Sequence, residues 1–579
     1  MKHIYLGNHP HPLRHPDTVM RLERLGAFQQ TRISFVRTLM RKMMREQWRI
    51  DCTRFDLDAQ GYGTCLYTID ATNNERYTLV LFSQFLDDSR RSDRVIADAW
   101  DVCFALCDGD VSEDDVEDLR ANLPLQERGR YHPKTLIISR ANKSARNFAH
   151  FVSTLASGQQ PDPAKMERVG YLYRTTAVYG NGKFGIADYG KLQRTQTFAH
   201  PFSAQMFIVY MVRHFSIQQV NFLAQQQSPA TAVLLDEAYG RYLGVGNATG
   251  LGMAPFLVHH PKLIHQWIAA RETAISNAVY QGEITELHRQ RFQMLIERAI
   301  IHVSEIYTDD ALQQANNQRM HSDLQEAQAW LATHRHPLPN HETLWQSLVT
   351  RAYVYWSIET QEMLLSILIE LYPDLVDSLE QGMSAVEDYD LVPDMLLTEL
   401  KSVIERHYAW AIQIDFTTAQ AQHFFWYRSA EKEEPRLGVR GVDEGHEKEQ
   451  QIGIGRAVHA CYQAICTTLA QCPAASPTIN VAQFLFQAPQ HNGIVRRIQS
   501  LSPYPYAEIH DNLLGDDCLP IHMLRCKLSI FGASKFDPKS SLWTRITLFQ
   551  GAPLLSEIGQ PFEDDWFLPT APLLREGII

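Results

Sequence analysis

Gly240-Arg241-Tyr242-Leu243-Gly244-Val245-Gly246-Asn247-Ala248-Thr249-Gly250-Leu251-Gly252 puts five glycines into thirteen residues. Glycine has no Cβ, so a cluster of this density marks main chain that something approaches closely. The spacing is G-x-G-x-x-x-G, one residue longer than the dinucleotide fingerprint, and Ala232–Gly240 before it does not read as a buried strand. Pro255 falls early in what would be the crossover helix, and His260-Pro261 interrupts that helix again. No Gly-Lys-Ser/Thr follows, so the P-loop reading fails as well. What remains is a loop entering a helix near Pro255, either packing tightly or turning its N–H groups toward a small anion.

Upstream lies a second glycine turn, Tyr173-Arg174-Thr175-Thr176-Ala177-Val178-Tyr179-Gly180-Asn181-Gly182-Lys183-Phe184-Gly185. An arginine can grip a carboxylate or phosphate with two parallel bonds, threonine hydroxyls add donors, and a desolvated lysine can act as a base or Schiff-base amine. These residues predict an anion pocket with Arg174, Thr175, Thr176, Asn181, Gly244, Gly246, Asn247, Thr249, Gly250 and Gly252 on the substrate. Lys183, His259, His260 and Lys535 are the candidates for moving protons.

Around this centre the residues from about 165 to 405 are helical in period almost throughout. Candidate helices are Phe202–Leu223, His265–Tyr280, Leu287–Tyr307, Leu324–Thr333, Leu344–Leu371 and Met395–Trp410. Toward the N-terminus, Val19–Trp48 reads as one long helix carrying Arg37, Arg41 and Arg45 every four residues, a stripe expected to be a solvated face paired with acidic neighbours. The runs Thr64–Ile69 and Tyr77–Phe82 flank Asn73-Asn74 as a hairpin. Val95–Leu106 reads as a helix and Thr135–Ile138 as a strand.

Beyond 405, strand character is expected at Trp410–Phe416, His423–Tyr427, Ala482–Phe486 and Trp543–Phe549. A charged loop runs from about Arg428 to Gln451, of a length typical of a lid or partner surface. Thr135–Ala156 and Val481–Leu501 share a strand, polar turn and helix order, a weak internal echo. The prediction is an α+β, predominantly helical chain: an α+β region over 1–160, a helical domain over 161–405 and an α+β region over 406–579.

A third basic set, Arg525, Lys527, Lys535, Lys539 and Arg545 with Glu508, His510 and Asp537, is either a surface salt-bridge network or a second hold on an anion. His9, His11 and His15 precede or neighbour prolines and read as turn or packing residues rather than metal ligands. No H-E-x-x-H, paired E-x-x-H or G-x-S-x-G occurs, so the residues name no metal and no hydrolase centre.

A net charge of −12 opposes general nucleic-acid and anionic-membrane binding. Nine cysteines without a C-x-x-C pair, no apolar leader after Met1 and no long apolar run point to a reducing, cytoplasmic setting. The proline-bearing end, with Pro553, Pro561, Pro569 and Pro572, is expected to run over the surface or onto a second copy, giving a homo-oligomer.

The functional expectation is a soluble enzyme acting on a small anionic metabolite, a lyase, isomerase or transferase. Its rivals are a scaffold or regulator using the charged loop and the arginine stripe, and a flavin or nicotinamide oxidoreductase with a non-Rossmann site. No cofactor is identified by the residues.

Overall fold

A computed structural model describes residues 3–4, 10–90, 100–122, 132–175, 192, 194–250, 255–334, 343–418, 424–429, 434–438, 448–451, 454–471, 479–510 and 519–572. Its organising element is a nine-stranded sheet. The strands are β1 (Arg49–Leu57), β2 (Gly63–Asp70), β3 (Arg76–Ser83), β4 (Val102–Asp108), β5 (Thr135–Lys143), β6 (Tyr171–Thr175), β7 (Gly244–Gly250), β8 (Ala533–Pro538) and β9 (Trp543–Leu548). They lie in the order β8-β9-β7-β6-β5-β4-β3-β2-β1, antiparallel except for the parallel pair β6 and β7. The sheet therefore takes strands from each third of the sequence, within a mixed α/β architecture in which helix outweighs strand.

Alternation along β3 shows how the sheet divides two cores. Tyr77, Leu79 and Leu81 enter the main core, and Val80 and Phe82 enter a smaller one with Cys103, Ala105, Cys107 and Ile138, capped by Val116 and Leu119. On the main-core face lies the long helix α3 (Ser203–Gln227), which follows α1 (Phe35–Glu46) and α2 (Ala145–Ala156) in the chain. The hydroxyl of Tyr67 donates to Gln218 and that of Tyr173 to Gln219, while the Gln219 amide reaches the Gly61 carbonyl and the Ser83 hydroxyl.

After α4 (Glu237–Tyr242) and α5 (Pro255–His259), a helical layer is built from α6 (Pro261–Val279), α7 (Glu286–Ser304), α8 (Ala311–Thr333), α9 (Leu344–Tyr355) and α10 (Ile358–Leu371). A separate cluster of buried apolar residues from Leu397 to Ile498 unites α11 (Leu397–His407), α12 (Ile454–Ala470), α13 (Val481–Gln487) and α14 (Asn492–Leu501). Three strands, Glu434–Gly438, Phe424–Ser429 and Lys448–Gln451, form a small antiparallel sheet within the charged segment. The chain then returns to the main core through α15 (Arg525–Phe531) and the last two strands.

Several sequence expectations are overturned. The single helix over Val19–Trp48 is three pieces, Pro16–Val19, Leu22–Leu25 and α1. The buried segment between the last two has its peptide groups taken by distant partners: Arg525 and Ser529 donate to the Phe28 carbonyl, Trp267 to that of Ile33, and the Arg32 N–H donates to Glu370. Helical bonding cannot compete where tertiary partners satisfy the same groups. The arginine stripe does pair with acids, but not at a solvated surface. Arg37 is fully buried between Glu370 (3.0 Å) and Asp564 (2.6 Å), and Arg41 reaches Asp564 at 2.8 Å.

Of the helix expected at Val95–Leu106, residues 102–106 belong to strand β4; the run is apolar on both faces, which periodicity cannot distinguish from a buried helix. Trp410–Phe416 is not a strand, since Ala409–Ile412 is a short helix. Ala482–Phe486 lies in α13, begun by a capping box in which Asn480 and Gln483 satisfy each other's N–H groups. The strand, turn and helix echo with Thr135–Ala156 goes with it. The expected helix Leu344–Leu371 is two, α9 and α10, with Ser357 capping the second.

Candidate functional site

Gly244–Gly250 of the glycine segment is a strand, not a loop. β7 is paired on both sides, Val245–Gly250 with β9 and Gly244 and Gly246 with β6, so its peptide groups serve the sheet. The close approach that its glycines permit is made by this chain itself. A Cβ on Gly246 would sit 2.5 Å from three ring atoms of Tyr171, and one on Gly244 would sit 2.4 Å from the Leu548 carbonyl oxygen. The buried guanidinium of Arg213 secures the entry to the strand by donating to the carbonyls of Gly240, Arg241, Leu243, Ala552 and Pro553. Burial without a carboxylate partner pushes its pKa down to about 10, with Tyr210 raising it only in part.

Some of the sequence candidates do come together. Lys535 pairs with Thr547, Thr547 with Gly246, Gly246 with Arg174 and Arg174 with Asn142, a single row across five strands. The Asn247 amide donates to the Thr175 carbonyl, and the Thr175 hydroxyl shares a bond with Ser139 at 2.8 Å. Thr249 and Gly250 pair with Thr544 and Trp543. Thr176, Asn181, Lys183 and Gly252 lie outside the described residues.

The two histidines fall at the junction of α5 and α6. His260 stacks on Phe256 at 4.5 Å, its Nδ1 lies 3.2 Å from the Phe256 carbonyl, and burial pushes its pKa down to about 4. His259 is lowered too, by burial and then by Arg497.

The C-terminal basic set is a surface network only in part, since Arg545 is exposed and Lys539 half-buried. Arg525, Lys527, Lys535 and Asp537 are all buried, on α15 and β8. Arg525 opens onto a cleft bounded by α7, α8, the start of α10 and the Gly26–Gln29 segment, lined among others by His302, Gln313, Asn317, Glu359, His522 and Phe536. The free space of this cleft, its open mouth included, is ≈ 380 Å³.

The Arg525 guanidinium is held by uncharged groups, the Phe28 carbonyl at 2.7 Å and the Gln29 side chain. It also lies 4.3 Å above the ring of Phe536. Burial pushes its pKa down to about 10, against the charges of Glu359 and Asp537. His522 accepts from the Leu519 N–H through Nδ1 (3.2 Å) and meets the Gln313 oxygen through Nε2 (2.5 Å), a pattern that fits the neutral ring. Burial holds His522 and His302 near 3, so both rings are neutral at neutral pH beside Arg525 and Glu359 in the lining.

The other side of α15 is aromatic. Phe35, Phe202, Phe256 and Phe531 contact one another at centroid distances of 5.0–5.9 Å. The Nζ of Lys527 enters this cluster, 4.5 Å from the Phe256 centroid and 5.2 Å from that of Phe531. The sequence placed Lys527 only within a basic set; its apolar neighbours Cys526, Leu528, Ile530 and Phe531 were the available sign of burial.

Among the described residues, no group of three or more His, Cys, Asp or Glu side chains could hold a metal ion, and no helix is long and apolar enough to cross a membrane. No protein-family model, curated protein or solved structure matches the chain. The functional reading rests on the geometry of these sites.

Proposed function

We propose that this protein is an enzyme acting on a small carboxylated or phosphorylated metabolite, of lyase, isomerase or transferase type, with the anion received at Arg525. The observation that carries this reading is a buried guanidinium at a cleft, bonded to a carbonyl and an amide rather than to a carboxylate. A cation so placed has forfeited hydration, which the charges of Glu359 and Asp537 offset only in part, and an anionic ligand would supply a directly bonded counter-charge. Lys535 adds a second positive charge beside His302. In this reading the row of Lys535, Gly246 and Arg174 braces the sheet behind the cleft, and Lys183 remains a candidate base.

The scaffold reading loses one of its two contact surfaces, because Arg37 and Arg41 are engaged with Glu370 and Asp564. Calorimetric titration with a panel of small carboxylates and phosphate esters tests the enzyme reading. Arg525→Gln is expected to weaken the best binder about tenfold or more, and Glu359→Gln to tighten it or leave it unchanged. Equal affinity in wild type and Arg525→Gln would remove the assignment. Native mass spectrometry showing a co-purifying polypeptide and no small anion would favour the scaffold.

A further inference from the structure

We infer that Lys527 is an imine-forming amine that takes a small apolar aldehyde or ketone within the aromatic cluster of Phe202, Phe256 and Phe531. This site lies on the opposite side of α15 from the Arg525 cleft and does not depend on an anion binding there.

Three observations support it. The Lys527 side chain is fully buried, and its Nζ has no hydrogen-bond partner among the described residues. Its Nζ faces aromatic rings, 4.5 Å from Phe256 and 5.2 Å from Phe531. The pKa of the amine is pushed down to about 7 by burial, so near neutral pH a large share carries a free lone pair, where an exposed lysine carries almost none. Buried polar groups are nearly always bonded, and an unbonded lysine amine is costly to keep unless its chemistry is used.

The surroundings suit a carbonyl with an apolar body. Phe202, Phe256 and Phe531 meet at 5.0–5.6 Å and form a wall that favours hydrocarbon over charge. His260, stacked on the same Phe256 ring, feels the Lys527 charge and is neutral near pH 7. With Nδ1 directed to the Phe256 carbonyl, its Nε2 is left to accept and return a proton.

The Nζ lone pair attacks the carbonyl carbon and forms the C–N bond, and the C=O π pair takes up a proton to give a carbinolamine hydroxyl. The hydroxyl then takes a second proton and leaves as water while the nitrogen lone pair closes the C=N bond; nitrogen gives up both of its protons along the way, the first to the carbinolamine oxygen and the second to the departing water. Carbonyl and amine are converted to imine and water with no redox change. His260 carries the proton between nitrogen and oxygen.

The test is reductive trapping of the intact folded protein at neutral pH with propanal and cyanoborohydride, followed by peptide mass spectrometry. The expected result is a propyl adduct on Lys527 formed roughly tenfold or more ahead of adducts on exposed lysines. A parallel reaction with glyoxylate, small but charged, should label Lys527 more slowly than propanal does. Urea-unfolded protein should lose the preference altogether. Labelling of Lys527 no faster than of exposed lysines would overturn the proposal, and faster labelling by glyoxylate would overturn the apolar substrate class. His260→Gln is expected to slow trapping at Lys527 without redirecting it to other lysines; an unchanged rate would remove His260 from the proton step.

Discussion

Lys527 carries its amine into an aromatic cluster at a cost that depends on pH. Its pKa falls from the ordinary 10.5 to about 7 in the folded protein, so between these values the unfolded chain binds the extra proton. The penalty on folding is complete below pH 7, shrinks as pH rises and vanishes above about 10.5. Lys527→Met is therefore expected to stabilise the protein at pH 6 by a few kcal/mol, on the order of the shift times ~1.4 kcal/mol, and much less at pH 10. Urea denaturation at both pH values measures this; a variant less stable than wild type at pH 6 would make the ammonium a structural cation over Phe256 instead.

Arg213 is the opposite case, a buried cation whose donors are all spent on main-chain carbonyls around β7. Neither role was legible from residue type. Lysine and arginine are read as surface or ligand-binding groups until the fold shows what surrounds them, and their partners here lie tens to hundreds of positions away.

At the level of elements, the glycine strand shows how a correct chemical inference can be joined to the wrong geometry. The glycines did signal close approach, but at Gly244 and Gly246 the approaching groups are Leu548, Thr547 and Tyr171 of the same chain, which no local pattern reveals. Gly246→Ala is expected to cost about 1–3 kcal/mol by forcing the Tyr171 ring out of its place. The loss should shrink in a Gly246→Ala/Tyr171→Leu double variant, because the two side chains compete for one space. A melting temperature unchanged by Gly246→Ala would show that the ring yields freely and that the glycine is kept for another reason.

Other elements were legible where a local signal settled them, as at the hairpin of β2 and β3 around Asn73-Asn74; α6 was expected over His265–Tyr280, and Pro261, read as an interruption, instead opens its first turn. They were missed where apolar runs fit either period. Val102–Leu106 and Ala482–Phe486 are such runs, and for the second the Asn480/Gln483 capping box was the discriminating sign.

At the scale of the whole molecule, buried charge is organised around α10. Glu362 receives Arg14 at 2.6 Å and Arg24 and Arg271 at 2.7 Å; eight residues on, Glu370 joins Arg37, with Asp564 beside it. These contacts join the first forty residues to α10 and to the C-terminal segment, which explains why one core spans Val19 to Leu568. Burial alone would raise the Glu362 carboxyl, but Arg14, Arg271 and Arg24 hold it well below the usual range. Asp564 is likewise lowered to about 2 by Arg37, Arg32 and Arg41 against burial. Both give up their stabilisation only once pH falls below about 4.5 and the unfolded carboxylates begin to protonate.

Histidine sets the earlier limit. His200, His214, His260, His265 and His510 are pushed down to about 4, and His302 and His522 to about 3, in every case by burial first. Below pH 6.5 the unfolded chain protonates these rings while the folded protein keeps them neutral, so stability falls as pH falls, by up to ~1.4 kcal/mol per pH unit for each ring. Denaturation in urea should therefore show a loss beginning near pH 6.5, accompanied by uptake of several protons on unfolding at pH 5.5. His522→Gln, which can still pair with Gln313, should reduce that uptake by about one proton. A stability profile flat from pH 7 to 5 and falling only below 4.5 would transfer acid lability to the carboxylates around α10 and show that the histidines open to water before the protein unfolds.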